Sequence, residues 1–376
     1  MPGQFEPIGG GKAFIPDPLP PKLDFDPGLA RQLAEASEAL GRLDGLGRTL
    51  PNPHLLVRPF IRVEAVLSSR IEGTQASLTD LYAAEAQPAL FLTLERRDDV
   101  IEVRNYVKAL EYGLKRRLEL PIGSRLLREM HAILLKGARG RNRAPGTFRS
   151  VQNWVGGSSR IEEATYIPPP PQEVPRLIAE LERYIHSDSP YHALVDTALV
   201  HYQFEAIHPF LDGNGRIGRL LITLMLVDRG LLASPLLYLS AYFERNRGKY
   251  YDLLLNVTRK DSWRSWLDFF LEGVRVQSLD AIERARALVE LRERYRETLQ
   301  QRRAGPALHA VAEHLFARPV FSIRQLEREL SLSYAAVNQA VSQLTGLGWI
   351  VETTGQKRNR LFAALDVLRI LNPSGQ

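Results

Sequence analysis

The sequence predicts a mainly α fold: a helical core carrying one β-hairpin, preceded by a helical segment and followed by a small α/β unit. Three observations predict it. Apolar residues recur at helical spacing through most of the chain, as in Leu29, Leu33, Ala36 and Leu40, or Val103, Tyr106, Val107, Leu110 and Leu114. That period is interrupted around a Gly-Ser turn, where segments 151–155 and 164–167 flank GGSS in the manner of a hairpin. Finally, Gly305 and Pro306 separate a long charged helical stretch from a compact C-terminal piece.

Taken in order, residues 1–24 mix Gly and Pro with few apolar side chains, so an extended arm lying on the folded body is expected. A helix starts after Asp26. Residues 53–71 read as a second helix with a proline in its first half, and Gly73 as its C-terminal cap. Residues 74–97 hold a short helical piece and a break at AQPALF. Segments 98–117 and 124–136 are amphipathic bundle helices, followed by a loop whose Arg139, Arg141 and Arg143 read as a solvated face. After the hairpin, Pro168 to Pro171 stiffen the exit.

Segments 173–187 and 191–206 are helices, and His201, at near-helical spacing with Leu194 and Ala198, reads as a core histidine. Segment 263–276 has a dense apolar face. The helix continues over 278–303 with a thin stripe of Ile282, Leu288, Leu291, Tyr295 and Leu299, which suits a connector or half of a homodimer contact.

In the C-terminal piece Ser322 and Ser333 cap two helices joined by an SLS turn, and GWIVETTGQKRNRLFAA follows as two strands. This arrangement resembles a winged helix-turn-helix. Arg324, Arg328, Lys357, Arg358 and Arg360 suit phosphates, while Asn338, Gln339 and Gln343 suit adenine edges. DNA is therefore one expected partner and protein docking the other.

Composition narrows the class without choosing a partner. At 376 residues the chain exceeds one ordinary core, and 44% hydrophobic with 24% charged residues is that of a soluble globular protein. Forty-nine basic against 43 acidic residues leave +6, compatible with nucleic acid, an acidic protein or a nucleotide. Without cysteine there is no disulfide and no thiol catalysis, and without an HExxH pair His192, His201 and His208 lack a zinc signature. No apolar run approaches about 18 residues, so no membrane partner is expected and a cytoplasmic location is.

The chemistry concentrates in residues 207–219, IHPFLDGNGRIGR. Gly213 and Gly215 permit positive φ, so backbone N–H groups can turn inward, and the following helix offers unpaired amides and the positive end of its dipole. An anion belongs there. Arg216 and Arg219 share the first helical turn and can both reach one phosphate chain. Asp212 sits on the rim, and one carboxylate plus substrate phosphates is the usual way to hold Mg²⁺. His208 can take a proton near neutral pH.

This stretch resembles the Fic-domain signature HPFx(D/E)GNGRxxR at every defined position. The resemblance implies AMP transfer from ATP to a hydroxyl of a target protein. His208 then becomes the general base, Asp212 the magnesium ligand, and Gly213, Asn214 and Gly215 the phosphate-binding turn. Arg216 and Arg219 bind phosphate oxygens, Arg219 nearest the γ-phosphate, with Ile217 and Gly218 between them. Gln152 to Gly157 resemble the family's flap, a β-hairpin that aligns the target by strand addition, and Val155 and Gly156 are its expected nucleotide contacts. Tyr250 and Tyr251 are expected at the adenine pocket. Upstream, SSRIEG resembles the S/T-x-x-x-E-G/N pattern of an inhibitory helix, which assigns Ser68, Glu72 and Gly73 to autoinhibition, Glu72 pairing with Arg219 in place of the γ-phosphate.

The expected organisation is an arm over 1–24, an N-terminal helical region over 25–120, a Fic-type core over 121–277, a connector over 278–304 and a winged helix-turn-helix over 305–372. The expected function is an autoinhibited protein adenylyltransferase using ATP and Mg²⁺ and modifying a target and itself. The alternative is a nucleotide-sensing transcription regulator or toxin-antitoxin component acting through the winged helix.

Overall fold

A computed structural model describes residues 2–49, 54–87, 97–157, 160–356 and 358–372. Expectations for 88–96, Ser158, Ser159 and Lys357 lie outside the described residues. The chain opens with strands β1 (Gly3–Ile8) and β2 (Gly11–Pro16), then helices α1 (Pro27–Thr49), α2 (His54–Ile71), α3 (Leu78–Ala86), α4 (Arg97–Arg116) and α5 (Ser124–Leu134). After the flap come α6 (Val174–Ile185), α7 (Ala193–Ile207), α8 (Asn214–Asp228), α9 (Ser240–Arg245), α10 (Arg247–Lys260) and α11 (Trp263–Gln301). The last unit is α12 (Pro306–Ala317), β3 (Val320–Ser322), α13 (Ile323–Leu330), α14 (Tyr334–Gly346), β4 (Val351–Glu352), β5 (Leu361–Ala363) and α15 (Leu365–Leu371).

Three helices are buried on nearly every face and so must lie at the centre. In α2 every residue from Pro59 to Ser69 is buried, and α7 and α8 are nearly so. α2 packs on α4 and α9 on one side and on α12 and α15 on the other. Burial of polar groups on this helix demands partners. Glu64 accepts from Tyr106 Oη at 3.1 Å and from the backbone N–H of Ser240 at 3.1 Å. Arg62 pairs with Glu85 at 2.9 Å, and Glu85 also holds Arg318 of the last unit at 3.0 Å. The helix carrying Ser68 is thus bolted to both halves of the molecule.

Three expectations change. The N-terminal arm lies on the body as foreseen, but it is an antiparallel hairpin turning at Gly9 and Gly10, the latter at φ 93°. Burying Ala13, Phe14 and Ile15 stabilises it, and Phe14 N–H bonds Ile167 O at 2.9 Å beside the flap. Among the described residues the flap is one bridge, Val155 with Tyr166, plus a short 3₁₀ turn at Ile161–Glu163. The helix runs on from core to connector as expected, 39 residues in α11, but its apolar stripe is already buried within this chain. Tyr295 stacks on Trp349 at 3.7 Å and Leu299 is closed off, so the stripe offers no free surface for a homodimer.

The last unit has the expected caps, Ser322 on Gln325 N–H and Ser333 on Ala336 N–H. Its strands pair antiparallel in the order β3-β5-β4. No helix among the described residues is long and apolar enough to cross a membrane.

Candidate functional site

A cavity of about 600 Å³ opens where the C-terminal end of α7 meets the N-terminal end of α8. Trp154 to Gly156 roof it, Tyr251 and Leu255 of α10 form one wall, and Leu211 to Gly215 the floor. The floor is a loop shaped by side chains. Asn214 is buried and closes it on itself, its Oδ1 accepting from Phe210 N–H and its Nδ2 donating to Phe210 O, both at 2.8 Å. Asn153 of the flap donates to the same carbonyl at 2.9 Å. From below, His131 of α5 stacks on Phe210 at 3.8 Å. Gly146 N–H donates to its Nδ1 at 2.8 Å, so the proton sits on Nε2 and is donated to Asp212 O at 2.9 Å. Burial pushes His131 down to about 4, which keeps this tautomer neutral.

The loop hands the chain to α8 through Gly213 at φ 79°, a conformation that favours glycine. Gly213, Asn214 and Gly215 line the cavity at the start of α8, where the amides of Asn214 and Gly215 have no hydrogen-bond partner among the described residues, an anion cradle. Asp212 stands at its rim. Its Oδ1 accepts from Gly213 N–H at 2.6 Å and from Arg216 at 3.4 Å. No cluster of three or more His, Cys, Asp or Glu that could hold a metal occurs among the described residues.

His208 ends α7 in the left-handed region, at φ 50°. Its carbonyl, and with it the end of the helix, is held by Arg149, whose Nε donates to His208 O at 2.9 Å and whose Nη2 donates to Pro169 O. The imidazole Nδ1 donates to Glu205 O at 3.3 Å, leaving the lone pair on Nε2. Burial, helped by the positive charge of Arg149, pushes His208 down to about 4. A neutral imidazole lining the cavity is a base ready to accept a proton.

Arg219, 2% exposed, is the most enclosed charge of the site. Its Nε donates to Ser68 Oγ at 2.8 Å, and its Nη2 to Ser68 O at 3.0 Å and to Glu72 Oε1 at 2.6 Å. Burial pushes the Glu72 carboxyl up, but Arg219, with Arg216 and His208, outweighs it and holds Glu72 below the usual carboxylate range. Gly73, at φ 94°, ends α2 and lets the chain turn away directly after Glu72.

The two halves of this site fall under two adjoining family models. The Fic/DOC family N-terminal model matches residues 30–115 and the Fic/DOC family model residues 121–226. The chain belongs to the Fic/DOC family. A Fic relative from Aquifex aeolicus, named "probable protein adenylyltransferase", is 28% identical over 197 residues, 51% of this chain and 53% of that protein. The protein adenylyltransferase Fic of Drosophila melanogaster is 37% identical over 111 residues, 29% of this chain and 20% of its own. The chain thus spans about half of the first relative and about a fifth of the second. The fold of a solved Fic family protein from Desulfovibrio desulfuricans superposes with a TM-score of 0.59 at 21% identity, covering 92% of this chain and 98% of that one. Fic-1 from C. elegans gives 0.53 at 19% identity over 68% and 74%.

His208, Asp212, Gly213, Asn214, Gly215 and Arg219 line one cavity with Val155, Gly156 and Glu72. Four calls need correction. Gly215 is helical and lacks positive φ. What it supplies is space, since a Cβ there would lie 2.3 Å from Glu72 Oε1. Tyr250 is buried with its Oη on His201 Nε2 at 2.8 Å, so of the tyrosine pair Tyr251 lines the cavity. Ile217 and Gly218 face the core, and Arg216 turns its Nη1 to Glu102 Oε2 at 3.2 Å. Arg139 is no mere solvated face, for it joins Glu102 at 2.8 Å and Asp99 at 2.6 Å. His131, Arg149, Glu102 and Glu205 escaped the sequence reading. His131, Arg149 and Glu102 are lone residues distant from the signature, brought to it only by the packing of α4, α5 and the loop at Arg149, and Glu205 stands just before the signature with nothing in its spacing to mark it.

Proposed function

We propose that this chain is an autoinhibited protein adenylyltransferase that moves AMP from ATP to a side-chain hydroxyl of a target protein and to itself. One observation carries the proposal: a neutral histidine, an amide cradle and a buried arginine meet in one cavity, and a carboxylate just beyond the end of α2 occupies that arginine. His208 Nε2 takes the proton of the target hydroxyl, whose oxygen attacks the α-phosphorus. The bond from that phosphorus to the bridging oxygen breaks, pyrophosphate leaves, and AMP stays on the target as a phosphodiester. The amides of Asn214 and Gly215 and the guanidinium of Arg219 hold the phosphates in line.

Asp212 Oδ2 makes no hydrogen bond among the described residues, a donor set that fits Mg²⁺ held by one carboxylate and the substrate's phosphates. Bound there, the ion neutralises phosphate charge. Glu72 sits where a γ-phosphate paired with Arg219 would lie, so nucleotide binding and the Glu72 contact exclude each other. The C-terminal unit, 305–372, is a winged helix-turn-helix whose exposed Gln339, Ser342 and Gln343, with Arg324, Arg328, Arg358 and Arg360, suit a nucleic acid. The names of the relatives favour transfer over nucleotide sensing alone.

The test is label transfer from ATP carrying a labelled α-phosphate. Wild type should label protein weakly, Glu72→Gly strongly, and Glu72→Gly with His208→Ala not at all. ATP binding by Glu72→Gly with no label on any protein would sink the proposal and leave a nucleotide sensor.

A further inference from the structure

The transfer chemistry leaves Glu205 without a task. It lies one turn before His208 on α7 and lines the cavity with Tyr202, Tyr251 and Thr258. Its Oε1 is closed to solvent and has no hydrogen-bond partner among the described residues. The carboxyl reaches over α8: a Cβ at Gly218 would lie 2.3 Å from Oε1, with His201 Cε1 at 3.2 Å. Gly218 therefore makes room for this group. A second orphan shares the cavity, for Nη1 of Arg219 is also buried without a partner among the described residues. An acid and a guanidinium thus each keep an unused hydrogen-bonding position, close enough that each charge acts on the other. Leaving both unmet is costly unless a ligand supplies the partners.

We propose that Glu205 is a second, proton-controlled carboxyl of the nucleotide site: protonated, it donates its O–H to a phosphate oxygen of a nucleoside triphosphate, and ionised, it competes with the γ-phosphate for Arg219. This rests on the nucleotide reading of the cavity. Burial pushes Glu205 up to about 8, Arg219 opposing and Glu72 adding to the rise, so the acid form dominates at neutral pH. The groups facing it are Glu72 just beyond α2, Arg219 on α8, Tyr250 and Tyr251 on α10, His201 on its own helix and His208 at its end, and Tyr166 of the flap, with Tyr202 and Arg247 lining the same cavity. Burial holds His201 at about 3, His208 at about 4 and Tyr251 at about 12, with Tyr166 and Tyr250 well above the usual tyrosine value. These histidines and tyrosines keep one charge state from about pH 7.5 to about 9.5, as do the arginines. Phosphate, with its second ionisation near about 6, is also fully ionised there.

The experiment is calorimetric ATP binding from about pH 7.5 to about 9.5 in the Glu72→Gly background, where Glu72 no longer competes. Without Glu72 its share of the rise in Glu205 is lost, so affinity should fall across this range, towards about tenfold per pH unit, one proton being linked to binding. In Glu72→Gly with Glu205→Gln, which keeps a neutral donor, affinity should stay level. With Glu205→Leu, which fills the space and donates nothing, it should be about fivefold to tenfold weaker at pH ~7.5 and equally level. Thermal melts of each variant confirm folding. An identical decline in the Gln variant, or a Leu variant as tight as the Gln variant at pH ~7.5, overturns the role of Glu205. Failure of Glu72→Gly itself to bind ATP at pH ~7.5 overturns the nucleotide reading instead.

Discussion

Replacing Glu72 by glycine removes one partner of a guanidinium that has few. Arg219 keeps its two bonds to Ser68 and loses the 2.6 Å contact to Glu72 Oε1. A hydrogen bond between charged groups is worth about 1.5–3 kcal/mol net. Because the Glu72 side chain is 33% exposed, solvent screening argues for the lower part of that range, about 1.5–2 kcal/mol. At about 1.4 kcal/mol per tenfold, the contact should weaken ATP binding by roughly 10- to 30-fold, since the nucleotide must first take Arg219 from Glu72.

Calorimetry with ATP on wild type and Glu72→Gly measures that ratio, and Glu72→Gln, which keeps an acceptor without charge, should fall between them. The variant also strands a buried cation, so its melting temperature without ATP should drop and saturating ATP should restore it by a larger shift than in wild type. Equal affinities in all three proteins would refute the competition. The sign of the pH effect is fixed as well. Glu72 is held below the usual carboxylate range, so the contact is present above that range and is lost only as pH falls beneath it. Affinity gained by Glu72→Gly should therefore persist unchanged between about pH 6 and about 7.5.

Three further outcomes follow from the supporting residues. Arg149→Met removes a positive charge beside His208, whose value of about 4 owes most to burial and part to that charge. The acid limb of kcat/KM should move to higher pH, by up to about one unit, in the Glu72→Gly background, while Arg149→Lys should hold it. His131→Leu keeps the stacking volume on Phe210 but frees Asp212 O and Gly146 N–H. Transfer by the same background should fall about 100-fold in kcat, with His131→Asn recovering part of it. Arg62→Ala breaks a pair that is nearly closed to solvent, and urea unfolding should show a loss of about 3 kcal/mol, limited because Glu85 retains Arg318.

The site was legible in proportion to how local its chemistry is. IHPFLDGNGRIGR needs only a loop and the first turn of a helix to become a cradle, so its residues announce themselves by spacing. SSRIEG was readable beside that signature, and the Arg219 contact lies where the pattern implied. Gly215 was misjudged because glycine in a motif suggests φ freedom, whereas here it yields volume to a side chain from another helix. The N-terminal arm was misjudged because its proline and glycine content hid a short alternation, and its partner, Ile167, lies far along the chain.

By itself, then, the sequence determined the helical class, the loop and helix start that line the cavity with His208, the carboxylate that meets Arg219, and the caps of the last unit, all of them consequences of neighbours within a few positions. Tertiary structure alone decided which polar groups stand behind those residues. His131 under Asp212, Arg149 on the end of α7, Glu102 on Arg216 and Glu205 against Gly218 are pairs joined across separate helices and loops, and no periodicity records such meetings. It also decided the standing of α2. Helical spacing shows one amphipathic face, but this helix is enclosed from both sides, so that the segment holding Arg219 is gripped at once by the core and by the C-terminal unit.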